Sequence, residues 1–133
     1  MRVKYLTIAF VVFLIGVVIV ANLGLGPVAF QFLRYIPGGD KTGHFVLMGL
    51  LSLLVNLSFG AKRVTVAGLP LLKGSLIVIA VVTVEEVSQL LLKYRGFDLL
   101  DLAMDYLGIV AFGVLAEHLV RHRKTVQSSQ IHR

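Results

Sequence analysis

The chain is organised around residues 85–108, which read EEVSQLLLKYRGFDLLDLAMDYLG. This stretch holds five of the seven acidic residues of a strongly apolar chain, namely Glu85, Glu86, Asp98, Asp101 and Asp105. Carboxylates within or beside membrane-spanning segments are energetically costly, and they usually face a partner, a cavity or a substrate. The stretch therefore predicts both the turn between two long helices and the place where the protein acts.

The composition is that of an integral membrane protein. Of the 133 residues, 57% are hydrophobic and 15% are charged, whereas a soluble domain carries about 25% charged residues. Cysteine is absent, which excludes disulfides, thiolate catalysis and cysteine-based metal sites. The net charge of +6 does not indicate binding to nucleic acid, because the basic residues flank apolar runs, where lysine and arginine mark the cytoplasmic side of a membrane.

Four apolar runs are long enough to cross a bilayer as helices. We place them at about residues 5–22, 42–59, 71–92 and 99–120, with a polar tail at 125–133. The pattern predicts an all-α fold, an integral membrane four-helix bundle that forms a single domain over residues 1–133. Basic residues before the first run would also suit a cleaved signal peptide, but its uninterrupted apolar length favours a retained helix.

The charges predict how the bundle lies in the membrane. Nine lysines and arginines flank one side of the predicted bundle and four flank the other, so the positive-inside rule predicts that the N- and C-termini are both cytoplasmic. Six of the seven acidic residues lie near the opposite ends of their helices, and only Glu117 lies on the basic side. Three separate segments therefore bring polar residues to one level of the membrane.

Three helical faces carry the polar side chains that we expect to meet. Residues three or four positions apart lie on one face of a helix. The sets with this spacing are Asp40–His44 on the second helix, Glu86–Gln89 on the third and Asp98–Asp101–Asp105 on the fourth. Lys41 and Arg95 add positive charge at the same depth. Because short turns make neighbouring helices antiparallel, these faces can converge on one site.

Some of these residues have an ordinary structural interpretation. Asp40 and Asp98 stand where helix N-caps are expected, so we predict that they cap the second and fourth helices. The other seven lie further inside the helices or supply positive charge, and we predict that they form a binding site: Lys41, His44, Glu86, Gln89, Arg95, Asp101 and Asp105.

Three motifs occur between residues 40 and 113: Asp40-Lys41-x-x-His44, Glu86-x-x-Gln89 and Arg95-x-Phe97-Asp98-x-x-Asp101-x-x-x-Asp105-x-x-Gly108. In order, spacing and helical placement they resemble the VanZ-like family of bacterial membrane proteins. One position departs from the family pattern, which usually has asparagine where this chain has Asp105. The founding member is associated with resistance to teicoplanin, a glycopeptide that acts on cell-wall precursors outside the membrane. The resemblance implies a place in the bacterial inner membrane and a role in the cell envelope.

The first hypothesis about function is a binding or transport module for membrane lipids. An outward-facing pocket with Lys41, His44 and Arg95 as cations would recognise the head group of an anionic lipid or of a lipid-linked cell-wall precursor. A proton relay through Asp101 and Asp105 is a variant of this hypothesis.

Two further hypotheses stay open beside it. One is a membrane enzyme that acts on a lipid-linked substrate with a divalent cation such as Mg²⁺, Mn²⁺ or Ca²⁺. Its candidate metal ligands are His44, Glu86, Asp101 and Asp105; alternatively, His44 held by Asp40 would act as a general base. The other is a small structural or partner subunit, in which the polar residues only hold the helices together.

Overall fold

The computed structural model of the protein describes residues 2–131, with side chains up to residue 128. It contains five α-helices, which are α1 (Arg2–Asn22), α2 (Gly26–Ala29), α3 (Gly39–Ser58), α4 (Lys73–Ser88) and α5 (Leu99–Ile131). Short 3₁₀ segments occupy Gln31–Tyr35 and Gln89–Leu91, and two strands, β1 (Arg63–Val66) and β2 (Leu69–Leu72), lie between α3 and α4.

Four of these helices are long and apolar enough to cross a membrane: Arg2–Asn22, Gly39–Ser58, Lys73–Leu91 and Leu99–Ser128. The prediction of an all-α bundle with four long apolar helices is confirmed. The last helix is longer than predicted, since α5 continues past residue 120 and has 33 residues, or about 50 Å. No glycine or proline interrupts its final turns, and Arg121 pairs with Glu117 one turn earlier, at 2.8 Å.

The connection between α3 and α4 is a β-hairpin, which the apolar pattern of the sequence did not indicate. Strands β1 and β2 pair antiparallel, with Val66 opposite Leu69. The two residues between them, Ala67 and Gly68, both have positive φ, as a tight two-residue hairpin turn requires. Arg63 at the start of β1 fastens the hairpin to α5 through Glu117, at 2.7 Å.

The centre of the bundle is the close contact between α3 and α5. The backbone of Gly108 packs against the carbonyl group of Phe45, and Gly49 packs against the ring of Phe112, so that a Cβ at either glycine would overlap its neighbour. Small residues of this kind let helices approach closely in membranes. Helix α1 contributes less to the core, since Leu14 is its one buried residue.

The antiparallel order of the long helices brings four helix ends together. The end of α1, the beginning of α3, the end of α4 and the beginning of α5 lie at one end of the bundle, which we call the polar end. The hairpin lies at the other end, which we call the hairpin end. The polar residues singled out by the sequence lie at the polar end.

Candidate functional site

Lys41 connects α3 with the beginning of α5. Its ammonium group donates hydrogen bonds to Asp101 Oδ1 at 2.7 Å and to Asp98 Oδ2 at 3.0 Å. Asp98 directly precedes α5, and its Oδ1 accepts the backbone N–H of Leu100 at 2.8 Å, as the side chain of an N-cap residue does. That N–H and the Lys41 ammonium together hold the pKa of Asp98 below its ordinary value. Lys41 and Asp98 therefore join two helices, and their charges are already paired.

His44 lies between two aspartates of α5. Its Nδ1 is 3.0 Å from Asp105 Oδ1, and its Nε2 is 3.7 Å from Asp101 Oδ2. The second distance is too long for a hydrogen bond. An ionised carboxylate can only accept, so Asp105 fixes the proton of a neutral His44 on Nδ1 and leaves the Nε2 lone pair free. The hypothesis that Asp40 holds the imidazole is wrong, because Asp105 on the facing helix makes that contact.

Glu86 is buried behind the start of α5. Its Oε1 accepts the backbone N–H of Asp98 at 2.9 Å, and its Oε2 accepts the side-chain amide of Gln89 at 2.9 Å. The side chain is 1% exposed. Glu86 therefore holds the connection between α4 and α5 in place rather than facing a ligand.

Arg95 pairs with Glu85, a carboxylate that sequence spacing did not select. It donates to Glu85 Oε1 at 3.0 Å and to Asn22 Oδ1 at 3.4 Å. Gln89 also donates to Glu85, at 3.0 Å, so Glu85 and Glu86 belong to one hydrogen-bonded chain of side chains. The bond to Asn22 ties the end of α1 to the rest of the polar end. Sequence spacing identified neither Glu85 nor Asn22 as part of the site.

We call the connected residues at this end the charged network: Asn22, Lys41, His44, Glu85, Glu86, Gln89, Arg95, Asp98, Asp101 and Asp105. A groove of about 760 Å³ adjoins it. Five members of its lining are polar or charged and lie on the bundle side: Asp40, His44, Gln89, Arg95 and Asp101. The end of α1 and the segment after it contribute apolar residues to the lining: Ala21, Pro27, Phe30, Leu33 and Ile36.

Arg34 also lines the groove, and it is exposed. It forms no ion pair with any residue that the structure describes. Of the seven predicted binding residues, His44, Gln89, Arg95 and Asp101 line the groove, whereas Lys41, Glu86 and Asp105 stand behind them. Arg34 is thus the cation of the groove whose charge is not already balanced, and sequence spacing did not select it.

Asp40 is a groove residue rather than an N-cap. The N-cap position of α3 is occupied by Gly38 in a left-handed conformation, with φ of 60°, and no side chain caps this helix. The capping prediction for Asp40 is therefore wrong, because the Pro37-Gly38-Gly39 turn starts the helix earlier than expected. In the first turn of α3 the carboxylate still complements the positive end of the helix.

Three residues could hold a metal ion, and they differ in part from the predicted set. Asp40, His44 and Asp101 each offer one ligand atom, and the three atoms lie within 4.8 Å of one another. The sequence had proposed Glu86 and Asp105 as ligands together with His44 and Asp101. Both residues already make other contacts. Glu86 accepts the backbone N–H of Asp98, and Asp105 contacts Nδ1 of His44.

A second polar group, which the sequence analysis missed, lies deeper in the bundle. We call it the neutral cluster, and it consists of Ser52 and Asn56 on α3 and Ser75 on α4. Asn56 donates to Ser75 Oγ and to the carbonyl group of Ser52, both at 2.9 Å, and Ser52 donates to the carbonyl group of Ile109 at 2.8 Å. Ser52 and Asn56 have no exposed surface. The signal in the sequence was an Asn and a Ser four residues apart within an apolar run.

No family model, curated protein or solved structure matches this chain. The resemblance to the VanZ-like family stays a prediction that rests on the three motifs.

Proposed function

We propose that the protein is a multi-pass protein of a bacterial inner membrane, of the VanZ-like kind, with both termini in the cytoplasm and the groove open to the outer face. Two observations support this orientation. The hairpin end and the final turns of α5 are rich in lysine and arginine, including Lys62, Arg63 and Arg121. The polar end carries the excess of carboxylates. Basic flanks mark the cytoplasmic side of membrane proteins.

We further propose that the groove binds the head group of an anionic lipid or of a lipid-linked cell-wall precursor. The observation that carries this proposal is that charged and polar residues line one groove together with apolar residues. Binding sites for small molecules combine apolar lining with a few well-placed polar groups. A lipid presents a polar head directly beside apolar chains, and it reaches such a groove from within the membrane.

The two arginines of the groove have different roles in this proposal. A guanidinium group recognises phosphate through two parallel hydrogen bonds. Arg95 is held in a defined position by Glu85 and Asn22, so it offers an oriented donor. Arg34 has no paired carboxylate among the described residues, so its positive charge is available to an anion. Phe30 and Leu33 would pack against the adjoining hydrocarbon.

The connection with glycopeptide resistance rests on the resemblance alone. A groove that binds a cell-wall precursor at the outer face would place the protein where teicoplanin acts. Comparison of teicoplanin susceptibility between cells with and without the gene tests this connection.

Native mass spectrometry of the purified protein tests the binding proposal. The probes are a polyprenyl monophosphate and, as a neutral-headed comparison, phosphatidylcholine. We expect the phosphate lipid to bind selectively and the Arg34→Gln variant to bind it about tenfold more weakly, which corresponds to the loss of one charged hydrogen bond. The matched control is Arg123→Gln, an exposed arginine in the final turns of α5. Equal binding by wild type and Arg34→Gln would contradict the proposal.

A second candidate function is an enzyme, and the pairing of His44 with Asp105 favours it. A histidine whose Nδ1–H is held by a buried carboxylate can accept a proton at Nε2, as in hydrolases that use a histidine–aspartate pair. His44 lines the groove, so a water molecule or hydroxyl group beside a bound phosphate would lie within its reach. Release of phosphate or of the head group from a lipid-linked substrate, lost in His44→Gln, would support this function.

A further inference from the structure

The balance of charge at the polar end poses a problem for an anionic ligand. Six carboxylates lie there, on Asp40, Glu85, Glu86, Asp98, Asp101 and Asp105, against four permanent cations, on Arg34, Lys41, Lys93 and Arg95. Lys41 is bound to two aspartates and Arg95 to Glu85. A phosphate group in the groove would face Asp40 and Asp101 directly, and like charges at short distance repel strongly away from bulk water. Its binding therefore needs additional positive charge.

We propose that Asp40, His44 and Asp101 bind a divalent cation, which bridges the protein to the phosphate of the ligand. The inference rests on the proposed function for the identity of the ligand, but the cation site itself is defined by residues of the chain. The ion supplies the positive charge that the groove lacks. It also gives Asp40 and Asp101 a role in binding an anion, which their negative charges would otherwise repel.

The distance between His44 and Asp101 suits two ligands of a single ion. Two ligand atoms about 2.1 Å from one cation lie roughly 3 to 4 Å apart. His44 Nε2 and Asp101 Oδ2 are 3.7 Å apart, with no hydrogen bond between them. Asp101 can serve both partners, because its Oδ1 accepts from Lys41 and its Oδ2 faces the histidine. Asp40, one turn before His44 on α3, completes the set of three.

Asp105 is the positioning residue of this site. Ligand histidines usually donate their other ring N–H to a carboxylate, which fixes the tautomer and the orientation of the ring. Asp105 is 2% exposed, belongs to a different helix from His44 and accepts from Nδ1 at 3.0 Å. The imidazole is therefore held with its free nitrogen directed at Asp101, before any ion binds.

The ligand set favours Mg²⁺ or Mn²⁺. Two carboxylates and one imidazole, without a thiolate, suit cations that prefer oxygen ligands. Mg²⁺ is typically bound by one or two carboxylates together with phosphate oxygens of the substrate, rather than by a complete cage of protein ligands. Three protein ligands would leave about three octahedral positions for phosphate oxygens and water.

Titration of the full-length protein in detergent with Mn²⁺ alone, followed by electron paramagnetic resonance, tests the site. We expect one saturable ion, with affinity reduced at least about tenfold in Asp40→Asn and in His44→Gln. Asp105→Asn should also weaken binding, although it removes no ligand. The control is Asp98→Asn, which removes a charge from the same network but no ligand, and which should bind Mn²⁺ like wild type. Mg²⁺ should compete with Mn²⁺.

Two results would overturn the inference. One is the absence of saturable Mn²⁺ binding, and the other is an equal loss of affinity in Asp98→Asn, which would indicate diffuse attraction by negative charge. Binding of the polyprenyl monophosphate with and without a chelator separates this inference from the proposed function. Undiminished lipid binding in the chelator contradicts the bridging ion and leaves the proposed function intact. Specific Mn²⁺ binding without any lipid binding contradicts the proposed function and leaves the cation site intact.

Discussion

The charged network and the neutral cluster both lie where α3, α4 and α5 meet, yet they are built differently. The neutral cluster is sealed: Ser52 and Asn56 have no exposed surface, and their donors bind groups within the bundle. The charged network adjoins a groove and presents His44 and Asp101 to it. Hydrogen bonds between membrane helices contribute only about 0.6 kcal/mol on average, and uncharged residues can supply them. The neutral cluster shows that uncharged side chains can join these helices, so the carboxylates that line the groove, Asp40 and Asp101, call for another explanation.

The charged network itself has two layers that divide these tasks. Glu86, Asp98 and Lys41 do not line the groove; they fix the start of α5 and its contact with α3. The members that line the groove are His44, Gln89, Arg95 and Asp101. A ligand in the groove would meet the second layer, so substitutions in the two layers should have different consequences.

The largest effect is expected from a charge placed in the neutral cluster. Asn56→Asp keeps the shape of the side chain but puts a carboxylate among two serine hydroxyls, with no cation to pair with it. Asn56 is fully buried, and a buried charge without a partner costs about 3 kcal/mol or more, so we expect the free energy of unfolding in detergent to fall by a similar amount.

The reciprocal exchange, Asp105→Asn, is the matched control. The amide oxygen can still accept the N–H of His44, so we expect a loss below about 1 kcal/mol. If the two variants were equally stable, the distinction between a sealed neutral cluster and a charged functional network would be wrong.

A smaller effect is expected from removing one hydrogen bond of the neutral cluster. Ser75→Ala removes the acceptor of the Asn56 amide, and the loss of one hydrogen bond between membrane helices costs about 0.6 kcal/mol on average. Lipid binding should stay unchanged, because Ser75 lies away from the groove. Thermal unfolding in detergent measures the loss of stability. Ser128→Ala, at an exposed position of α5, provides the comparison. A loss of lipid affinity in Ser75→Ala would show that the two regions are coupled.

The smallest effect concerns how stability depends on pH through Asp98, the N-cap of α5. The pKa of Asp98 is lowered by the N–H of Leu100 and by Lys41, so its ionised form stabilises the folded state. The stability that comes from a lowered pKa is fully present above the ordinary pKa of an aspartate, about 3.9. It is lost as the pH falls below that value and through the lower pKa that Asp98 has in the folded protein. The melting temperature of wild type should decrease as pH falls below about 4, and part of that decrease should be absent in Asp98→Asn. Identical pH profiles would contradict this role of Asp98.

The sequence predicted the parts of the molecule that follow from periodicity. Apolar length located the four long helices, and helical spacing brought His44, Gln89, Asp101 and Asp105 to one end of the bundle. Partners across helices were not predictable in the same way. The spacing of four residues suggested that Asp40 holds His44. The imidazole instead contacts Asp105 on the facing helix, and spacing along one helix does not reveal a contact between two helices.

Local backbone chemistry explains the other differences. The left-handed Gly38 starts α3 early and places Asp40 in the groove rather than at the cap. The Ala67-Gly68 turn forms a hairpin in a segment that seemed only basic. The short turn after α4 lets Arg95 reach back to Glu85, although sequence spacing singled out Glu86. Each of these depends on a few backbone angles that hydrophobic patterns do not encode.

The most direct test of the account measures melting temperature and affinity for the polyprenyl monophosphate together, in Arg34→Gln and in Ser75→Ala. The account predicts opposite outcomes for the two variants. Arg34→Gln should lose about tenfold in affinity and keep the wild-type melting temperature, because Arg34 forms no ion pair with any described residue. Ser75→Ala should melt at lower temperature and keep the wild-type affinity. If affinity and melting temperature instead fell together in both variants, the groove would not be separable from the stability of the bundle, and the division between a binding groove and a stabilising neutral cluster would be wrong.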